Sequence, residues 1–112
     1  MATISKTAAA YTFAQVTETE LTGADTFTYD GNAKLFIRND SGAGATVNVV
    51  GSTATATAAY RPGGGTVDLS AGEDVTVGDG EIWFIQLGTI HDKLTGTISV
   101  TGGTASMYAF IV

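Results

Sequence analysis

Cysteine is missing from this chain of 112 residues, and proline, tryptophan and histidine occur once each. Without cysteine there are no disulfides, no thiol nucleophile and no thiolate metal site, and the redox compartment stays undetermined. Charge is scarce as well. Charged residues make up 14% of the chain, against roughly 25% in an ordinary soluble domain. Five basic residues face 11 acidic ones, for a net charge of −6. Phosphate contacts need clustered cations, but Lys6, Lys34, Arg38, Arg61 and Lys93 are scattered. That argues against direct nucleic-acid binding and against docking on an anionic membrane. No run approaches the ~20 apolar residues of a membrane-spanning helix. The first residues, MATISK, lack the basic and apolar regions of a secretory leader, so synthesis in the cytoplasm is expected.

What the chain does contain is strand and turn material. Glycine (15 residues) and abundant threonine suit strands joined by tight turns, and are poor material for helices. Short alternating apolar runs fall at 34–38, 46–50, 67–69, 74–77, 81–87, 96–100 and 105–112, separated by Gly-rich breaks. The rhythm predicts an all-β fold: a single antiparallel β-sandwich, jelly-roll-like or Ig-like, or a small barrel. Asp30-Gly31 and Asp79-Gly80 are residues that two-residue hairpins favour, and Gly102-Gly103 is expected to close a hairpin between the last two strands. Residues 1–24 are Ala/Thr-rich and read as an extended arm ending in an outer strand, with the sandwich spanning 25–112. Within the arm, Tyr11 and Phe13 sit at strand spacing, as anchors by which residues 3–14 order against a neighbouring subunit or the larger surface the protein attaches to, adding a strand to another sheet's edge.

Period-2 alternation assigns a core of Leu35, Ile37, Val47, Val49, Val67, Leu69, Val75, Val77, Phe84, Ile98 and Val100. In the first strong strand, Lys34, Phe36 and Arg38 share the opposite face. The segments 81–87 and 107–112 are apolar on both faces. Such a strand is either central and covered twice, or turns its second face to a partner. Two of them, together with the low charge fraction, predict a homo-oligomer, with a trimer favoured.

Little here points to catalysis or to a cofactor. His91 precedes Asp92, but no Gly-x-Ser-x-Gly elbow accompanies them, so a surface histidine is the better reading than a Ser-His-Asp triad. The carboxylates are spread singly, mostly beside turns, too sparsely for a calcium loop. Gly63 to Gly65 beside Arg61 lack the lysine and the following helix of a phosphate loop, and read as a β-loop. Asn39-Asp40-Ser41 matches a glycosylation sequon but reads as turn chemistry. No catalytic, cofactor or metal residue is assigned. The candidates for partner binding are Tyr11, Phe13, Arg61 and Trp83. Trp83 with Tyr60 or Tyr108 would make a sugar platform, so a carbohydrate-binding or adhesin-like module is the alternative function, and a small hydrolase built on His91 a third.

The succession GNAKLFIRN (31–39), ATVNVVG (45–51), VDLSAGE (67–73) and GTISVT (96–101) resembles the small head decoration, or cement, proteins of tailed bacteriophages. The resemblance covers roughly residues 31–101 and touches strand and turn positions only. It implies a non-enzymatic β-sandwich protein on the capsid exterior, with the major capsid protein as partner. Such proteins usually sit as trimers near local three-fold positions and stiffen the shell.

Overall fold

In the computed structural model, residues 2–8, 12–53, 56–58, 66–68 and 71–112 are described. They form β1 (Thr19–Glu20), β2 (Ala24–Phe27), β3 (Lys34–Asn39), β4 (Ala45–Gly51), β5 (Ala56–Ala58), β6 (Thr66–Asp68), β7 (Glu73–Val77), β8 (Ile82–Gln86), β9 (Ile98–Thr101) and β10 (Met107–Ile111). A 3-10 segment, Leu87–Lys93, separates β8 from β9. The expected all-β class is therefore correct, and the strand runs read from alternation reappear within a residue or two. The protein is a sandwich of two four-stranded antiparallel sheets.

The sheets have the orders β1-β10-β3-β8 and β2-β9-β4-β7. Almost every connection crosses from one sheet to the other, and the two orders interleave. This is the topology of an eight-stranded jelly roll. The exception is β4 to β7, which pair within one sheet and are joined through the two-stranded β5-β6 hairpin. The crossing connections overturn the hairpins expected from the turn dipeptides. Asp30-Gly31 and Asp79-Gly80 link β2 to β3 and β7 to β8, in different sheets. The chain leaving β9 at Gly102-Gly103 joins β10 in the opposite sheet. Gly102 has a φ of +87°, and a Cβ there would collide with the Thr46 carbonyl oxygen. Glycine is needed at this bend, but for a change of sheet.

Between the sheets lies one core. Leu35, Ile37, Val47, Val49, Val77, Ile98 and Val100 are all buried, as expected, and Val75 packs against them half-buried. Leu69 and the side chain of Val67 lie outside the described residues. Phe84 is a correction, since it is 63% exposed. The pairing of β8 with β3 sets Trp83 opposite Ile37, Phe84 opposite Phe36 and Ile85 opposite Leu35. Leu35 and Ile37 face the core, so their cross-strand partners Ile85 and Trp83 take the inner side and Phe84 the outer one. Alternation within β8 offers no way to choose, because both faces are apolar.

Two buried polar side chains hold the ends of the sandwich. Asn39 Nδ2 donates to the carbonyls of Ala43 (2.7 Å) and Val77 (2.8 Å), while Ser41 donates to Asn39 Oδ1 from both N–H (2.9 Å) and hydroxyl (2.7 Å). One side chain thus ties the end of β3 to the end of β7 in the other sheet. Asp25 accepts from the Ala2 N–H (3.1 Å), the Thr22 N–H (2.9 Å) and the Thr22 hydroxyl (2.7 Å). Among the described residues, no buried side-chain polar atom lacks a partner.

The start of the chain also belongs to the sandwich. Residues 2–7 run along its own β1/β2 side, bridging to Thr26 of β2 and then to Ile111 of β10. Ile4 is buried in the core cluster. The anchoring of residues 3–14 on a neighbour is therefore not what residues 3–7 do. Their backbone donors and acceptors meet strands of the same chain (Ile4 N–H to Thr26 O at 2.8 Å, Thr7 N–H to Ile111 O at 2.7 Å). Replacing Ile4 with alanine should cost about 2 kcal/mol, toward the low end for core truncations because the segment can detach on its own. A urea titration checks the loss, and limited proteolysis should show earlier cleavage in the first ten residues.

Candidate interaction surface

The outer face of the β1-β10-β3-β8 sheet carries aromatic side chains in register. Phe110 lies opposite Phe36, and Phe36 opposite Phe84, giving a row of three rings across three strands. The Phe36 and Phe110 rings stack with centroids 4.8 Å apart, and those of Phe36 and Phe84 at 5.2 Å. Ile82 is 57% exposed and occupies the neighbouring position beside Phe84. Each such ring pair contributes about 0.5–1.5 kcal/mol beyond area burial, so the row is stiff as well as apolar. Phe36 and Phe110 are half-buried, so the exposed part of the row is Phe84 with Ile82, an outward apolar strip of the kind partners dock on.

Charge frames this row. The Arg38 guanidinium lies 4.5 Å over the Tyr108 ring and makes a two-pronged contact with Glu18, from Nε (3.2 Å) and Nη2 (2.9 Å). The hydrogen bond to Arg38 holds the Glu18 carboxyl below its usual range, and that same bond raises the guanidinium pKa further. Lys34 stands at the other end of β3. The face therefore has an aromatic centre with the Arg38–Glu18 ion pair at one end and Lys34 at the other, and Asp40 lies 3.8 Å from the guanidinium.

At the open side of the sandwich, the edge strands β7 and β8 leave a cleft of about 190 Å³ between the sheets. Its wall includes Ile37, Val49, Val75, Trp83, Ile85 and Ile90. Trp83 is 48% exposed, and its indole N–H donates to Glu81 Oε1 (3.1 Å). That bond and one from the Gly78 N–H (2.7 Å) hold the Glu81 carboxyl below its usual range. The carboxylates on the rim are engaged: Glu73 accepts from Lys93 Nζ (2.7 Å) and Asp74 from Asn48 Nδ2 (2.7 Å).

The partner-binding candidates are not brought together. Phe13, six residues before β1 in the chain, is fully exposed. Trp83 stands at the opposite sheet edge, on β8. Tyr11, Tyr60 and Arg61 lie outside the described residues. His91 and Asp92 fall in the 3-10 segment, and their side chains are likewise outside them. Among the described residues, no group of three His, Cys, Asp or Glu side chains could hold a metal ion, and no helix is long and apolar enough to cross a membrane. The aromatic row was missed as a site because it depends on strand order. Its one signal in the sequence is Phe36 on the charged face of 34–38. No family model, curated protein or solved structure matches this chain.

Proposed function

We propose that the protein is a non-enzymatic structural component of a tailed-bacteriophage virion. It binds the exterior of the capsid through the aromatic face of the β1-β10-β3-β8 sheet and stabilises the shell, as a homo-oligomer with a trimer favoured. The observation that carries this reading is the Phe110-Phe36-Phe84 row with exposed Ile82. A small domain that leaves such a patch uncovered gains by docking it on a larger apolar surface, where most of the energy comes from a few aromatic anchors. The resemblance to cement proteins supports the same reading and runs through β3, β4, β6 as far as the start of β7, and β9. The partner would be the major capsid protein.

The test is co-sedimentation of purified protein with shells of the source phage stripped of accessory proteins. Saturable binding at a fixed number of copies per capsid subunit, together with slower heat disruption of the shells, is the expected result. Absence of binding would sink the reading.

Trp83 at the mouth of the β7/β8 cleft favours a second reading, a carbohydrate-binding module, since a half-exposed indole beside carboxylates is suited to stacking on a sugar ring. As the chain's only tryptophan it reports directly. A saturable change in its fluorescence on titration with oligosaccharides would support this alternative.

A further inference from the structure

We infer that copies of this protein associate head to tail, with Phe13 of one copy seated in the β7/β8 cleft of the next. The inference rests on the self-association in the reading above. It assigns the contact between copies to Phe13 and the cleft, whose lining shares Phe84 with the shell-binding face.

Three observations lead to it. First, Phe13 is fully exposed, a costly position for a phenylalanine that packs on nothing of its own chain. The Thr17 N–H donates to Thr7 Oγ1 (3.0 Å), which ties the chain between Phe13 and β1 to the edge segment 2–7. Phe13 therefore stands only four residues from a fixed point.

Second, the cleft is apolar and open. It is lined by Val49, Val75, Ile85 and Ile90 and holds about 190 Å³, room for one large apolar side chain. Phe13 does not fill its own cleft, since its side chain is fully exposed. It precedes β1, at one edge of its sheet, and the cleft lies beside β8 at the other edge. The cleft is therefore open to a Phe13 side chain from another copy.

Third, the charges permit it. With a net charge of −6, copies repel one another in general. Residues 7–17 carry no charge at all, although the chain holds 11 carboxylates. The rim carboxylates Glu73 and Asp74 already have partners. The uncharged projection can therefore enter without bringing one carboxylate against another.

A projection-into-hole contact is heterologous, so it builds rings or chains, whereas two copies meeting through one shared face stop at a dimer. The experiment uses Trp83, whose emission reports occupancy of the cleft. Wild-type protein is diluted through its association range while fluorescence and sedimentation velocity are recorded, alongside Phe13→Ala. The expected result is a concentration-dependent blue shift and rise in mass for wild type, with association weakened about tenfold or more in the variant. A second protein, Phe13→Cys with Val75→Cys, exploits the absence of native cysteine and should give oxidised species larger than dimers. Equal association of wild type and Phe13→Ala overturns the inference, as does a wild type that stays monomeric, or crosslinking that fails or stops at dimers. None of these outcomes touches shell binding, which the co-sedimentation assay decides separately. A sugar-induced Trp83 shift with no concentration dependence would assign the cleft to carbohydrate and also overturn it.

Discussion

Replacing Asn39 with alanine should destabilise the protein by about 3 kcal/mol. Its carboxamide is fully buried and makes four hydrogen bonds, two given to backbone carbonyls and two received from Ser41. Removing it strands the Val77 carbonyl in the interior and loosens that of Ala43. An unsatisfied buried acceptor costs roughly 1–3 kcal/mol, and water can rescue only the more exposed of the two. The loss is a large share of the 5–15 kcal/mol that typically holds a domain together. At roughly 4 °C per kcal/mol for a chain of this size, the thermal midpoint should fall by about 12 °C. The control is Asn32→Ala, at an exposed turn position, which should change stability by no more than about 0.5 kcal/mol. Denaturant titrations of both variants give the comparison, and an Asn39→Ala protein as stable as the control would show that the link between the sheets contributes little.

Replacing Phe84 with aspartate should do the reverse: leave the fold standing and strongly weaken the proposed shell binding. Phe84 is 63% exposed, so the sandwich loses chiefly its stack with Phe36, about 1 kcal/mol. At a docked interface the same change removes an apolar anchor and buries an unpaired carboxylate. Burying a large apolar side chain contributes about 1.5–3 kcal/mol, and an uncompensated charge adds further cost, so affinity for shells should drop roughly a hundredfold or more. Co-sedimentation measures the affinity, and circular dichroism with thermal melting verifies that the fold is intact. If the variant still binds shells as wild type does, the aromatic face is not the seat. If it binds normally but no longer self-associates, Phe84 acts at the contact between copies, where it also lines the cleft, and not on shells.

The two substitutions also separate what was readable before the fold was known from what was not. Leu35 and Ile37 stood out as core because Lys34 and Arg38 mark the opposite face of their strand, and a charged residue seldom turns inward. Phe84 had no such marker: its neighbours on both faces are apolar, and only its pairing with Phe36 sets its direction. Asn39 looked like turn chemistry, which its contacts with Ser41 satisfy. Its bond to Val77, 38 residues away, came into being only when β7 closed over β3.

Local patterning by itself determined that this chain makes strands, where most of them run, and which side chains of the marked strands point inward. Those properties depend on backbone propensity and a two-residue period, both carried by neighbours in sequence. Tertiary structure decided that successive strands alternate between sheets, that three phenylalanines from β10, β3 and β8 form one row on the outer face of their sheet, and that Ile4 joins the core while Phe13 stands clear of it. The physical reason is that each of these turns on which strands become neighbours. Glycine turns permit either a hairpin or a crossing, and the choice is made by burial of apolar faces over the whole sandwich.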